Sequence, residues 1–207
     1  MSTIKNIIFD LGGVILNIAP ERTVEAFARL GLENPLGERG WFYHHDLFYL
    51  LEQGTSSPEE FRNNVRHLLK QDISDALIDQ AWCAMILDIP VDRVEYLQGL
   101  KPHYRMFLLS NTNEIHRLQY FRDFESEYGF DFSTLFEQDY YSHKMGMRKP
   151  NPEIFKVVLE NHELIPEETL FIDDSEENIK AASDLGIKAL HIEPGTLTEA
   201  LPAYLNI

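Results

Sequence analysis

One cysteine, Cys83, in 207 residues leaves no partner for an internal disulfide. It stands in an apolar helical pattern with Ala81, Met85 and Ile86, so buried packing is its expected role. Basic residues are scarce: 18 Lys and Arg stand against 34 Asp and Glu, a formal net charge of −16. Such a surface disfavours nucleic acid and anionic membrane, while a few local cations can still dominate one pocket that takes a small anion. No apolar run is long enough to span a bilayer. The N-terminus shows no basic, apolar, small-residue leader, and Asp10 interrupts its only apolar run. The expectation is a cytoplasmic protein without nucleic-acid or membrane partners. Repeats and low-complexity segments are also missing. What remains, 44% hydrophobic and 25% charged, is ordinary for a globular chain with room for one large domain, or a core plus an insert.

The chain is organised around Ile7-Ile8-Phe9-Asp10-Leu11-Gly12-Gly13-Val14-Ile15. Its apolar run, rich in β-branched residues, predicts a strand buried on both faces. Asp10 sits where the run stops, and the two glycines permit a tight turn or close approach to a ligand. In an open parallel sheet, ligands bind beyond the carboxyl ends of the strands.

Helical patterns follow. Pro20 to Leu30 carries Val24, Phe27 and Leu30 inward and stops at Gly31. The aromatic stretch 41–49 runs into Leu50 and Leu51. Ser57-Pro58-Glu59-Glu60 is a capping-box start, and its helix presents Phe61, Val65, Leu68 and Leu69. A further helix from Ser74 buries Leu77, Ile78, Ala81 and Met85. Residues 17–90 therefore read as an all-helical block. From residue 91 helices and strands alternate: helix 91–99, strand 105–110, helix 113–128, a short strand 137–141, a helix capped by Asn151, strand 169–174, a helix capped by Ser175, and a last strand 188–192. That alternation predicts an α/β fold with a parallel sheet and right-handed crossovers. The expected organisation is a Rossmann-like core of residues 1–16 and 91–207, interrupted by a helical-bundle cap of residues 17–90.

Four strand ends present polar groups: Asp10, Ser110-Asn111-Thr112, Arg148-Lys149 and Asp173-Asp174. Three carboxylates, a lysine and a hydroxyl on one sheet edge suit phosphoryl transfer. Asp10 can attack phosphorus. Asp10 and Asp174 offer hard oxygens suited to Mg²⁺. Lys149 and a hydroxyl can hold the remaining phosphoryl oxygens.

In order and spacing, IIFDLGG, LLSNTN, GMRKPNPEIF and FIDDSEENIKAASDLGI resemble the four motifs of the haloacid dehalogenase superfamily. The resemblance extends to bacterial sugar-phosphate phosphatases of the α-glucose-1-phosphate type and to the phosphatase domain of soluble epoxide hydrolases. It implies Asp10 as nucleophile, Ser110 and Lys149 as phosphate ligands with Asn111 beside them, and Asp174 as a direct Mg²⁺ ligand. Asp173 binds the metal directly or through water, and the Gly12 carbonyl is a further ligand. The implied function is Mg²⁺-dependent hydrolysis of a small phosphorylated metabolite through an aspartyl phosphate. The rivals are a haloacid dehalogenase and a phosphoryl-binding regulator without turnover.

One departure stands out. Most phosphatases of this family place a second Asp two residues after the nucleophile as general acid and base. Gly12 occupies that place here, as in the sugar-phosphatase group, and leaves the role without an assigned side chain. Several residues carry two readings. Ser110 is a phosphate ligand or a helix cap; Lys149 and Asp173-Asp174 are site groups or solvated ones; Arg148 steers phosphate or sits on the surface. His44 and His45, adjacent rather than at ligand spacing, read as cap residues and not as a metal site. Residues 41–49 read as cap core, and Glu52-Gln53-Gly54 as a loop positioned to touch the leaving group.

Overall fold

The computed structural model describes residues 3–32 and 46–205. The first strand, β1 (Asn6–Phe9), is buried throughout, with Ile7, Ile8 and Phe9 wholly inaccessible. Four helices follow: α1 (Pro20–Arg29), α2 (Asp46–Glu52), α3 (Pro58–Leu69) and α4 (Asp75–Cys83). After α5 (Val91–Leu100) come β2 (Arg105–Ser110), α6 (Glu114–Tyr128), β3 (Gln138–Tyr141), the short α7 (Ser142–Met145) and α8 (Pro152–Asn161). The chain ends with β4 (Thr169–Asp173), α9 (Glu176–Ser183), β5 (Lys188–His191) and α10 (Leu197–Leu205). No helix among the described residues is long and apolar enough to cross a membrane.

The five strands are all parallel, in the order β3-β2-β1-β4-β5. This is the expected α/β architecture. Helices cover both faces, so alternate residues of each strand enter different cores. Ile7, Phe9, Leu108 and Ile172 pack with Leu97, Phe124 and Phe132 on one side. Ile8, Phe107, Leu109 and Phe171 pack with Ile154, Phe155 and Val158 on the other. The chain leaves β1 for β2 and β3, then returns to its other side for β4. The strand order thus reverses beside β1, which opens a crevice at the carboxyl ends of β1 and β4.

The helices between β1 and α5 have a core of their own. Phe27, Phe48, Phe61, Val65, Ile78 and Trp82 pack together, joined by Ile115 from α6. Phe48 stacks on Trp82 with ring centroids 4.7 Å apart. The two segments entering and leaving this block pair with each other. Ala19 N–H donates to the Met85 carbonyl at 2.8 Å, and Asn17 exchanges bonds with Asp88 and Leu87 at 2.9 and 3.0 Å. Ser57 and Glu60 close the capping box expected from their spacing.

Three local expectations change. Leu68 and Leu77 are 43% and 45% exposed rather than buried. The inward stripe of α3 is Phe61, Val65 and Leu69, at a spacing of four, and Leu68 lies about 100° off it. In α4 the buried set is Ile78, Ala81 and Trp82, and Leu77 is likewise one step off. Ser175 holds the N-cap position of α9, but its side chain makes no capping bond. Asp173 Oδ1 accepts the Ser175 N–H at 2.8 Å. The first half of the aromatic stretch, with His44 and His45, lies outside the described residues.

Candidate active site

Asp10 directly follows β1 and is 7% exposed. Its N–H donates to the Ile172 carbonyl at 2.9 Å, which continues the sheet by one residue and ties the carboxylate to β4. Gly13 has φ of +79°, and a Cβ placed there would stand 2.3 Å from Asp174 Oδ2. Only glycine lets the turn pass this close to the acidic pair at the end of β4.

Lys149 reaches the same point from the loop after α7, with its side chain 1% exposed. Its Nζ donates to Asp10 Oδ1 at 2.6 Å and to Asp173 Oδ2 at 2.7 Å. The backbone beneath it is clamped. Asn111 Nδ2 donates to the Lys149 carbonyl and the Lys149 N–H donates to Asn111 Oδ1, both at 2.9 Å. The side-chain amide of Asn111 is therefore spent on positioning Lys149. Asp173 is held in turn by Asn178 Nδ2, at 3.1 and 3.0 Å from its two oxygens. Ser110 ends β2 and is buried, one residue before Asn111. The structure brings Asp10, Gly12, Asn111, Lys149, Asp173 and Asp174 to one cavity of about 460 Å³. Ser110 is not part of that lining.

The electrostatics are unbalanced. Three carboxylates share one buried ammonium. Burial, together with Asp173 and Asp174, pushes the Asp10 carboxyl up to about 7 against the opposing pull of Lys149. Burial alone would lower Lys149, but Asp10 and Asp173 outweigh it and hold the ammonium above its usual range. Burial and Asp173 also raise Asp174. Oxygens of Asp10, Asp173 and Asp174 all lie within 4.8 Å of one another. A compact set of hard donors with surplus negative charge fits a small divalent cation such as Mg²⁺.

A larger cleft, about 610 Å³, lies between α3, α4 and α6. Its Arg62 is engaged bidentately by Asp79 at 2.8 Å. Burial pushes its Cys83 thiol up to about 12, so that sulfur stays protonated at neutral pH. Asp10, Lys149, Asp173 and Asp174 line the smaller cavity instead.

Sequence reasoning missed two supports. One is Asn178, whose position in the first turn of α9 is the signal that could have found it. The other is an ion pair between Glu52 and Arg148, residues 96 apart in the chain, at 3.0 Å in the cavity wall.

The haloacid dehalogenase-like hydrolase family model matches residues 4–186. This chain belongs to that family and is a hydrolase. It is 34% identical over 193 residues to D-ribitol-5-phosphate phosphatase of Bacteroides thetaiotaomicron, covering 93% of each chain. A crystal structure of a family enzyme from that organism, complexed with magnesium and inorganic phosphate, superposes with a TM-score of 0.82 at 39% identity, over 93% of this chain and 96% of that one. A predicted family hydrolase from Porphyromonas gingivalis gives a TM-score of 0.87 at 32% identity, over 99% and 98% of the two chains.

Proposed function

We propose that this hydrolase is a Mg²⁺-dependent phosphatase of a small phosphomonoester, a sugar or polyol phosphate, and that it works in the cytoplasm. The observation that carries the reading is the buried Asp10–Lys149–Asp173 array at the switch point of the sheet. A phosphatase named for D-ribitol 5-phosphate among the relatives supports the substrate class.

Asp10 attacks phosphorus in line, the bond to the leaving oxygen breaks, and an aspartyl phosphate forms on Asp10. Water then attacks that phosphorus, which releases inorganic phosphate and restores the carboxylate. Lys149 keeps Asp10 aimed and neutralises phosphoryl oxygens as charge builds on them. Ser110, at the end of β2, and Asn111 after it are the further phosphate ligands of this reading. Asp10, Asp174, the Gly12 carbonyl and Asp173, directly or through water, would hold Mg²⁺. When bound, the metal offsets repulsion between the attacking carboxylate and the phosphate. Residues 17–90 act as a cap over the core of residues 1–16 and 91–207 and exclude bulk water during transfer. The acidic pair disfavours a dehalogenase, since carboxylates without a metal repel an anionic substrate.

The test is phosphate release from a panel of sugar and polyol phosphates with Mg²⁺ and with chelator. Turnover that needs Mg²⁺ and disappears in Asp10→Asn is expected. Activity retained in Asp10→Asn overturns the nucleophile, and activity in chelator overturns the metal. Tight phosphate binding without turnover by the wild type points to the regulator instead.

A further inference from the structure

Ser142, wholly buried at the start of α7, stands between two segments far apart in the chain. Its Oγ accepts the Thr112 N–H at 2.9 Å, and Thr112 follows Ser110 and Asn111 just past β2. The same Oγ lies 2.6 Å from the Glu52 carbonyl, where α2 ends, and 2.9 Å from the Thr112 carbonyl. A hydroxyl carries one proton, so it donates to only one of these carbonyls at a time. His143 beside it faces the same shortage. Its Nδ1 lies 3.0 Å from the Thr112 carbonyl and its Nε2 3.0 Å from Glu114 Oε2. The Arg117 guanidinium above all holds Glu114 down at about 2, so that carboxylate is ionised and only accepts. Burial holds the imidazole below its usual range, so at neutral pH the ring is neutral and brings a single N–H.

The Glu114 carboxylate and the Thr112 and Glu52 carbonyls therefore compete for two protons, one on the ring and one on the hydroxyl. Two arrangements are open. With the ring proton on Nδ1, His143 fills the Thr112 carbonyl and Ser142 donates to Glu52. Glu114 is then left to Arg117, which already engages both of its oxygens at 2.9 and 2.8 Å. With the ring proton on Nε2, His143 donates to Glu114 and the Thr112 carbonyl takes the Ser142 proton. The Glu52 carbonyl then faces an oxygen lone pair, which is costly in a residue only 5% exposed. The two backbones are in contact here, since a Cβ on Gly54 would fall 2.0 Å from the His143 carbonyl oxygen.

We propose that Ser142 and His143 are positioning residues that tie the segment 110–112 to the end of α2, with the His143 tautomer as the switch: Nδ1–H when α2 is docked, Nε2–H when it is released. Neither residue lines the cavity of Asp10. This rests on the phosphatase reading above, in which Ser110 and Asn111 hold the phosphate. An anion on that segment fixes the Thr112 peptide against α7 and favours the docked arrangement. By linkage, docking favours the anion to the same extent.

The experiment uses the full chain with Mg²⁺ and inorganic phosphate as the probe. Heteronuclear NMR of the His143 ring nitrogens reads the tautomer directly. Phosphate should shift it to Nδ1–H in the wild type and leave it unmoved in Ser142→Ala. Hydrogen exchange of residues 46–56 reads the docking of α2. Phosphate should slow that exchange roughly 10-fold in the wild type, and about threefold in Ser142→Ala and in His143→Ala. The double variant should also keep about threefold, because both residues act through one shared proton chain. Two independent packing roles would instead add and leave no slowing. Additive losses, equal slowing in wild type and single variants, or a wild-type tautomer that ignores phosphate overturns the proposal. Should Ser142→Ala not fold, His143→Ala and the wild-type spectrum decide it. A wild type that hydrolyses phosphate esters yet shows neither response defeats the coupling alone. One that neither binds phosphate nor hydrolyses an ester defeats the phosphatase reading, and the proposal with it.

Discussion

Replacing Lys149 with methionine keeps most of the side-chain volume and removes the one ammonium that, among the described residues, bonds to this acidic cluster. Lys149 Nζ donates to Asp10 at 2.6 Å and to Asp173 at 2.7 Å, and all three side chains are at least nine-tenths buried. Removing one partner of a buried charge pair costs about 3–5 kcal/mol, because the other charge stays buried and uncompensated. Two carboxylates lose their partner here, so the upper part of that range is expected. In urea this is a midpoint shift on the order of 1–2 M for a chain of this size. The measurement is equilibrium unfolding at pH 8 in chelator, above the value of about 7 to which Asp10 is pushed. The same titration in saturating Mg²⁺ should recover part of the loss, since a divalent cation on the same oxygens supplies the missing positive charge. A deficit under about 1 kcal/mol in chelator would show that the carboxylates are solvated or already protonated. A deficit unchanged by Mg²⁺ refutes the acidic cluster as a cation site.

Gly13→Ala forces a Cβ into a left-handed backbone and against Asp174 Oδ2, so it should destabilise by at least about 1 kcal/mol and weaken Mg²⁺ binding measured by calorimetry; an unchanged affinity refutes the role of the close approach. Burial lowers His116 from 6.5 to about 4, against the opposing hydrogen bond to the Trp82 carbonyl. The unfolded chain therefore binds the extra proton in that window, so this contribution is complete above pH 6.5 and is lost as pH falls toward 4, roughly 3 kcal/mol in all. Urea midpoints at pH 7 and pH 5 should diverge for the wild type and much less for His116→Gln; equal pH slopes refute it. With Gly12 where an acid is usual, kcat/KM should fall steeply as leaving-group pKa rises. Gly12→Asp should flatten that dependence, because φ there is not positive and the added Cβ meets only the end of the Ile18 side chain at 3.2 Å. A flat wild-type series means another group already donates the proton.

The amino-acid sequence by itself determined the strand and helix order, the capping box at Ser57, and the cluster of Asp10, Lys149, Asp173 and Asp174. Those features are local. An apolar run with polar residues at its end writes both the strand and its functional tip, and parallel strands carry their tips to one edge. Tertiary structure decided the rest. Leu68 and Leu77 carry inward-facing residue types but lie one helical step from the packed stripe, and only the neighbouring helices say which stripe is covered. Asn111 reads from its position as a phosphate ligand, but its amide is taken by the Lys149 backbone across 38 residues of chain. Glu52 lies outside the four motifs, and Arg148, inside the third, carries no sign of its partner. They meet because α2 docks its last residue against the loop after α7. Local periodicity records how a residue faces its own element; which two polar groups share a buried wall is set by how distant elements pack.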